Sequence, residues 1–193
     1  HPLQPINPYG ESKLMVERML REYDRAYGVG FVSLRYFNAA GASLDARLGE
    51  SHDPETHLIP RILKAATGDL TKLQIFGDNY STPDGTCVRD YIHVLDLASG
   101  HVAAYEWLCE GRNSEIFNLG TGQGLSVLEL VETARKLIGR EIPLEVSDRR
   151  SGDPSHLVAD SGKARQMLMW EPRHSDVETI LSTAWAWEQN RRY

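Results

Sequence analysis

Two periods of apolar residues alternate along this chain. The first is helical: in PYGESKLMVERMLREYDRAY, after Asn7, the apolar positions Leu14, Met15, Met19, Leu20 and Tyr23 return every three to four residues. Asn7 suits an N-cap, Pro8 has no N–H to lose at the first helical position, and Gly28 suits the C-terminal cap. The next stretch, GFVSLRYFN, is almost unbroken apolar and β-branched sequence, which predicts a strand buried on both faces of a parallel sheet. The pattern then repeats. Helices are expected over 57–68, 95–111, 126–139, 161–168 and 176–190, and strands over 72–77, 89–94, 114–120 and 142–148. Ser126 and Glu129 have the spacing of a capping box. Strands alternating with helices give an α/β class. The segment 39–56 reads as one long loop, and loops of that length inside a compact domain are usually functional.

Composition narrows the function. The 193 residues are 41% hydrophobic and 25% charged, with a formal charge of −6, enough apolar material for a real core. An acidic balance argues against a nucleic-acid surface, which needs clustered Lys and Arg. No apolar run approaches the ~20 residues that span a bilayer, and no signal-peptide pattern opens the sequence. Cys87 and Cys109 have no metal or redox spacing and read as reduced thiols of a cytosolic protein. His52 and His57 are five apart with a proline between them, which predicts a poor geometry for a metal, and no metal is expected. The chain opens His1-Pro2 and not with Met, which suggests a fragment of a longer protein.

The chemistry concentrates at NPYGESK. A helix starting at Pro8 places Tyr9 and Lys13 one turn apart on one face. A free tyrosine is a poor base at neutral pH. A nearby ammonium and the positive end of a helix dipole both favour its phenolate, the form that accepts a hydroxyl proton. Y-x-x-x-K alone is common in helices, so the surrounding residues must carry the case.

NPYGESK, LRYFNAAGA, HLIPRIL, LQIFGDNYSTPDGTCVRDYIHVLDLASGHV, IFNLGTGQGLSVLELV and RRSGDPSHLVAD together resemble the UDP-hexose 4-epimerase branch of the extended short-chain dehydrogenase/reductase family. The resemblance implies part of a Rossmann-type parallel sheet plus a smaller α/β substrate-binding domain. Residues 1–38 would be the catalytic helix and following strand of an incomplete NAD-binding domain. Residues 39–193 would mainly bind the UDP-sugar, with some segments returning to the first domain. The implied activity is NAD-dependent interconversion of UDP-glucose and UDP-galactose by transient oxidation at C4.

Residue by residue, Tyr9 would take the proton of the sugar 4-hydroxyl, Lys13 would hold the nicotinamide ribose, and Phe37 would lie near the nicotinamide. Asn38 would bond the nucleotide sugar. His57 and Leu58 would begin a helix facing the diphosphate, His57 standing where the family often has asparagine. Gln74, Ile75 and Phe76 would lie against uracil. Arg89 and Arg150 would hold the diphosphate and Asp153 the ribose, Arg149 being left solvated. Leu157 would stand where a bulky residue crowds the sugar 2-position, leaving room for N-acetylhexosamines. A homodimer through the Tyr9–Tyr27 helix is implied. Gly120–Gly124 comes too late in the chain to be a dinucleotide fingerprint, so the NAD pyrophosphate site is expected to be missing and the isolated chain inactive. The alternatives are another UDP-sugar 4-epimerase, for N-acetylglucosamine or a pentose, and a non-catalytic nucleotide-sugar-binding module.

Overall fold

The computed structural model describes residues 3–191; His1 and Pro2 lie outside the described residues. Helix α1 (Pro8–Tyr27) is capped as its sequence demands: the Asn7 side chain accepts from Gly10 N at 2.8 Å, and Gly28 ends it at φ 66°. Strand β1 (Val32–Tyr36) follows, parallel to β6 (Glu115–Leu119) with Val32 opposite Glu115. Strand β2 (Asn38–Ala40) runs parallel to β5 (Tyr91–His93), and β3 (Leu73–Phe76) parallel to β8 (Leu144–Ser147). The short β4 (Val88–Arg89) lies between β7 (Leu125–Ser126), antiparallel to it, and β9 (His156–Leu157), parallel. Parallel strands joined through helices establish the α/β class.

Two apolar cores hold these pairs. One joins α2 (Leu58–Thr67), α4 (Val127–Ile138) and α6 (Val177–Asn190) through Ile62, Leu130, Ile180 and Leu181, and takes in Leu73 of β3. The other packs α3 (Val94–Cys109) and α5 (Gly162–Met167) on β1 and β6, with Phe117 edge-on to Trp107 and Trp170 alongside. The Ser126–Glu129 capping box forms in full.

Several expectations need correction. Strand β1 is only half-buried, because β6 alone pairs with it among the described residues. On α1 only Leu14 and Glu17 are buried, while Met15, Met19 and Tyr23 are exposed. The loop after residue 38 begins with strand β2. The strand expected over 89–94 breaks at Asp90 into β4 and β5, which join different sheets. Strand β9 was not foreseen.

Behind β5 the chain is latched to its C-terminal helix. His93 is fully buried: Nδ1 accepts from Leu95 N at 3.1 Å, so Nε2 carries the proton and donates to Thr183 Oγ1 at 3.0 Å. A Cβ on Gly41 would lie 2.5 Å from the His93 ring, and Gly41 has φ +82°, so only glycine fits. The buried Asp96 carboxylate accepts from Arg173 N and His174 N, each at 2.8 Å, and from Ser175 Oγ.

Candidate active site

Two clefts share a wall of Asn38, His57, Leu58 and Tyr91. The larger, about 670 Å³, is bordered by Tyr9, Tyr36, Phe37 and Glu50. The smaller, about 400 Å³, is bordered by Gln74, Ile75, Phe76, Arg89, Arg150 and Asp153. The fold thus gathers twelve of the thirteen residues singled out from sequence around adjoining cavities, with Lys13 reaching only a third cavity on the far side of Tyr9. Leu157 borders none of the three. It lies on β9 in register with Arg89, 46% exposed.

Tyr9 stands at the mouth of the large cleft and is 73% exposed. The Lys13 Nζ sits 5.0 Å above the centroid of its ring, an attraction of ammonium for the π face. Tyr91, the buried phenol of the shared wall, is different. Burial pushes its ionisation well above the ordinary tyrosine range, with Arg89 opposing only in part. It stays a neutral phenol at physiological pH and is not suited to accept a proton.

The dividing wall carries the start of α2. His57 makes no side-chain cap there and the first turn holds no acidic residue, but Glu55 Oε1 accepts from the His57 amide at 2.7 Å, so a carboxylate already stands beside the positive helix end. His57 is held by two carboxylates, Nδ1 lying 2.5 Å from Glu50 Oε1 and 3.1 Å from Glu55 Oε1. Burial raises the Glu50 carboxyl above its usual range, against the pull of His57. Potential ligand atoms of His52, Glu55 and His57 all lie within 4.8 Å of one another. The two histidines, whose spacing predicted a poor metal geometry, thus stand close together beside Glu55.

The small cleft is lined by an apolar ring and two guanidinium groups. The Arg150 guanidinium stacks 3.7 Å from the Phe76 ring centroid. Arg89, with only 11% of its side chain exposed, bonds the Asp153 carboxylate and the Val88 carbonyl. Arg149 is exposed, as expected, and also bonds Asn79 and lies 4.1 Å over the Tyr80 ring.

One organising residue escaped the sequence reading. Asp90, between Arg89 and Tyr91, is fully buried. Its Oδ1 accepts from Thr121 N at 3.0 Å and Thr121 Oγ1 at 2.7 Å. Its Oδ2 accepts from Gly122 N at 3.0 Å and Ala159 N at 3.1 Å. Two amides of the glycine-rich turn, those of Thr121 and Gly122, are therefore spent on a protein carboxylate. The signal was an acidic residue inside an otherwise apolar strand, where a buried charge must be fully bonded.

The sequence pattern described as the NAD dependent epimerase/dehydratase family matches residues 1–120, and the chain belongs to that family. A UDP-glucose 4-epimerase of Streptococcus mutans is 54% identical over 189 residues, covering 98% of this chain and 57% of that protein. The crystal structure of UDP-glucose 4-epimerase from Brucella ovis in complex with NAD is 53% identical, with TM-score 0.91 over 94% of this chain and 56% of that one. The Bifidobacterium longum enzyme, in complex with NAD+ and UDP, is 41% identical, with TM-score 0.89 over 95% and 55%. The chain thus spans little more than half the length of the relatives it matches. No helix among the described residues is long and apolar enough to cross a membrane.

Proposed function

We propose that these residues are the catalytic helix and nucleotide-sugar pocket of an NAD-dependent UDP-hexose 4-epimerase that interconverts UDP-glucose and UDP-galactose. The observation that carries this reading is the position of Tyr9 and its neighbouring Lys13 ammonium at one end of a continuous trough, with Arg89, Arg150 and Asp153 at the other. In this reading Tyr9 takes the proton of the sugar 4-hydroxyl as the C4–H hydride leaves, and returns it when hydride comes back to the opposite face. NAD, when bound, supplies the hydride acceptor. Lys13 holds the phenolate form of Tyr9, and Phe37 borders the reacting end of the trough. Asn38 bonds the sugar; its amide already donates to Asp90 O at 2.8 Å, which fixes its orientation.

The start of α2, with Arg89 and Arg150, neutralises the diphosphate. Phe76 offers uracil an apolar face, with Gln74 and Ile75 beside it, and Asp153 bonds the ribose.

The residues present fit the nicotinamide end of the cofactor, through Tyr9, Lys13 and Phe37. The glycine-rich turn at Gly120–Gly124 is a poor pyrophosphate cradle, since its Thr121 and Gly122 amides are bound by Asp90 and its Gln123 amide by Thr121 Oγ1. In this reading residues 1–38 belong to the NAD-binding domain together with α3, β6 and α5, which share the second core. Residues 39–193 otherwise build the substrate domain. The exposed face of α1, with Met15, Met19 and Tyr23, is assigned to a homodimer contact.

The test is turnover of UDP-galactose with NAD by the natural polypeptide that carries these residues, beside its Tyr9→Phe variant. Robust wild-type turnover lost in the variant is the expected result; equal rates would refute the role of Tyr9. The 193-residue chain alone should bind UDP but not turn over UDP-galactose. UDP binding without turnover by the natural polypeptide would instead favour the non-catalytic binding module. Leu157, smaller than an aromatic residue, favours some acceptance of UDP-N-acetylgalactosamine; absence of that turnover would reject the point.

A further inference from the structure

The face of α1 that carries Tyr9 and Lys13 continues one more turn to Glu17. The three are spaced four residues apart and border one cavity of about 530 Å³ with Ser33, Leu34, Arg35 and Tyr36 of β1. Glu17 is only 5% exposed, a buried carboxylate one helical turn from an ammonium. Spacing alone would pair the two. Yet among the described residues no carboxylate pairs with Lys13, whose Nζ instead faces the Tyr9 ring at 5.0 Å.

Arg35 explains this. Its Nε donates to Glu17 Oε1 at 2.5 Å, a terminal nitrogen donates to Glu17 Oε2, and Ser33 Oγ reaches Oε1 at 3.3 Å. Both oxygens are therefore occupied in a two-point fork that an ammonium cannot match. The pair has no net charge, so the Lys13 field at Tyr9 goes uncancelled. Remove Arg35, and a nearly buried carboxylate must find another cation. On its own helix face Lys13 and Arg21 each stand four residues away; Arg21 already acts on the Glu115 carboxylate, which leaves Lys13 to be drawn about 5 Å toward Glu17 and away from Tyr9.

We propose that Arg35 is a positioning residue for the proton transfer: by holding the Glu17 carboxylate it keeps Lys13 directed at Tyr9 and at the ligand that Tyr9 meets. The inference rests on the reading of Tyr9 and Lys13 given under the proposed function.

The experiment compares Arg35→Gln, Arg35→Lys, Glu17→Gln and the double variant Glu17→Gln/Arg35→Gln. In the natural polypeptide with NAD and UDP-galactose, R35Q moves the acid limb of the kcat/KM profile toward higher pH. It also lowers kcat near neutral pH, about tenfold for each pH unit of displacement. R35K lies between R35Q and wild type. E17Q moves the limb the other way, and the double variant returns it toward the wild-type position. A merely structural ion pair would give falls of one sign in every variant, with the limb fixed, and that result overturns the proposal.

The same order of variants is expected in a readout that needs no turnover. The Tyr9 phenolate absorbance of the 193-residue chain, taken as a difference against Tyr9→Phe, titrates at higher pH in R35Q and lower pH in E17Q. Should R35Q fail to fold, E17Q carries the test, and an unmoved or upward midpoint in it refutes the proposal. Loss of wild-type turnover would count against the epimerase reading alone, while the titration still decides the role of Arg35.

Discussion

Replacing Asp90 with asparagine should unfold this chain more readily than any other isosteric change at its clefts. The substitution keeps volume and shape, so packing is not at issue. One carboxylate oxygen becomes an NH2 group, and each oxygen now serves two donors: Thr121 N and Oγ1 on one side, Gly122 N and Ala159 N on the other. Whichever way the amide turns, donors face donors. A bond to a charged group contributes about 1.5–3 kcal/mol and an orphaned buried donor costs a similar amount, so the loss should be about 3–6 kcal/mol. Against a total stability on the order of 5–15 kcal/mol that is severe.

Urea denaturation measures it. With a slope of about 2 kcal/mol per molar, the midpoint should fall by about 1.5–3 M at unchanged slope. The cleft should suffer too, since the clamp fixes Ala159 behind Leu157 and so the β4–β9 pairing beside Arg89. A midpoint within about 0.5 M of wild type would show that the four donors find other partners, and the account of the turn as carboxylate-bound would fall.

Arg150→Ala should weaken binding of UDP by roughly tenfold to a hundredfold, read by calorimetry, because a charged donor to phosphate is lost; unchanged affinity would remove Arg150 from the site. Gly120→Ala should destabilise by about 1–3 kcal/mol, since its Cβ would come within 2.4 Å of Ala159 Cβ and 2.8 Å of Asp90 Oδ2; a wild-type melting temperature would contradict the packing. Burial lowers the His93 ionisation below its ordinary value of 6.5, so the unfolded chain gains this proton first as pH falls. Its contribution is therefore intact above about pH 6.5 and declines below it until the folded histidine also ionises. Melting temperatures followed downward from neutral pH should show that loss, and His93→Gln should flatten it.

The helices were legible in the sequence because their signals are local. Asn7, Gly28, Ser126 and Glu129 all cap as their spacing predicts. The strands were legible where apolar runs are long, as in β6, and failed where pairing is decided at a distance. Residues 89–94 read as one strand, yet Asp90 turns away to bind residues 121, 122 and 159, and only the folded chain brings those together. His156 and Leu157 are only two residues, too few to show a period, and become a strand because β4 offers them an edge. The cleft residues were found through motif resemblance. Glu17 and Arg35 were passed over because nothing in their separate helix and strand patterns announces a pair.

The bond between Arg89 and Asp153 has a consequence for selectivity. With that guanidinium already matched to a carboxylate inside the protein, a bare inorganic anion can take it only by stranding Asp153. A ligand that brings sugar hydroxyls together with its phosphates offers both partners a replacement in the same event. Under the proposed function the pocket would thus act as a coincidence detector, passing over free phosphate and answering to the assembled nucleotide.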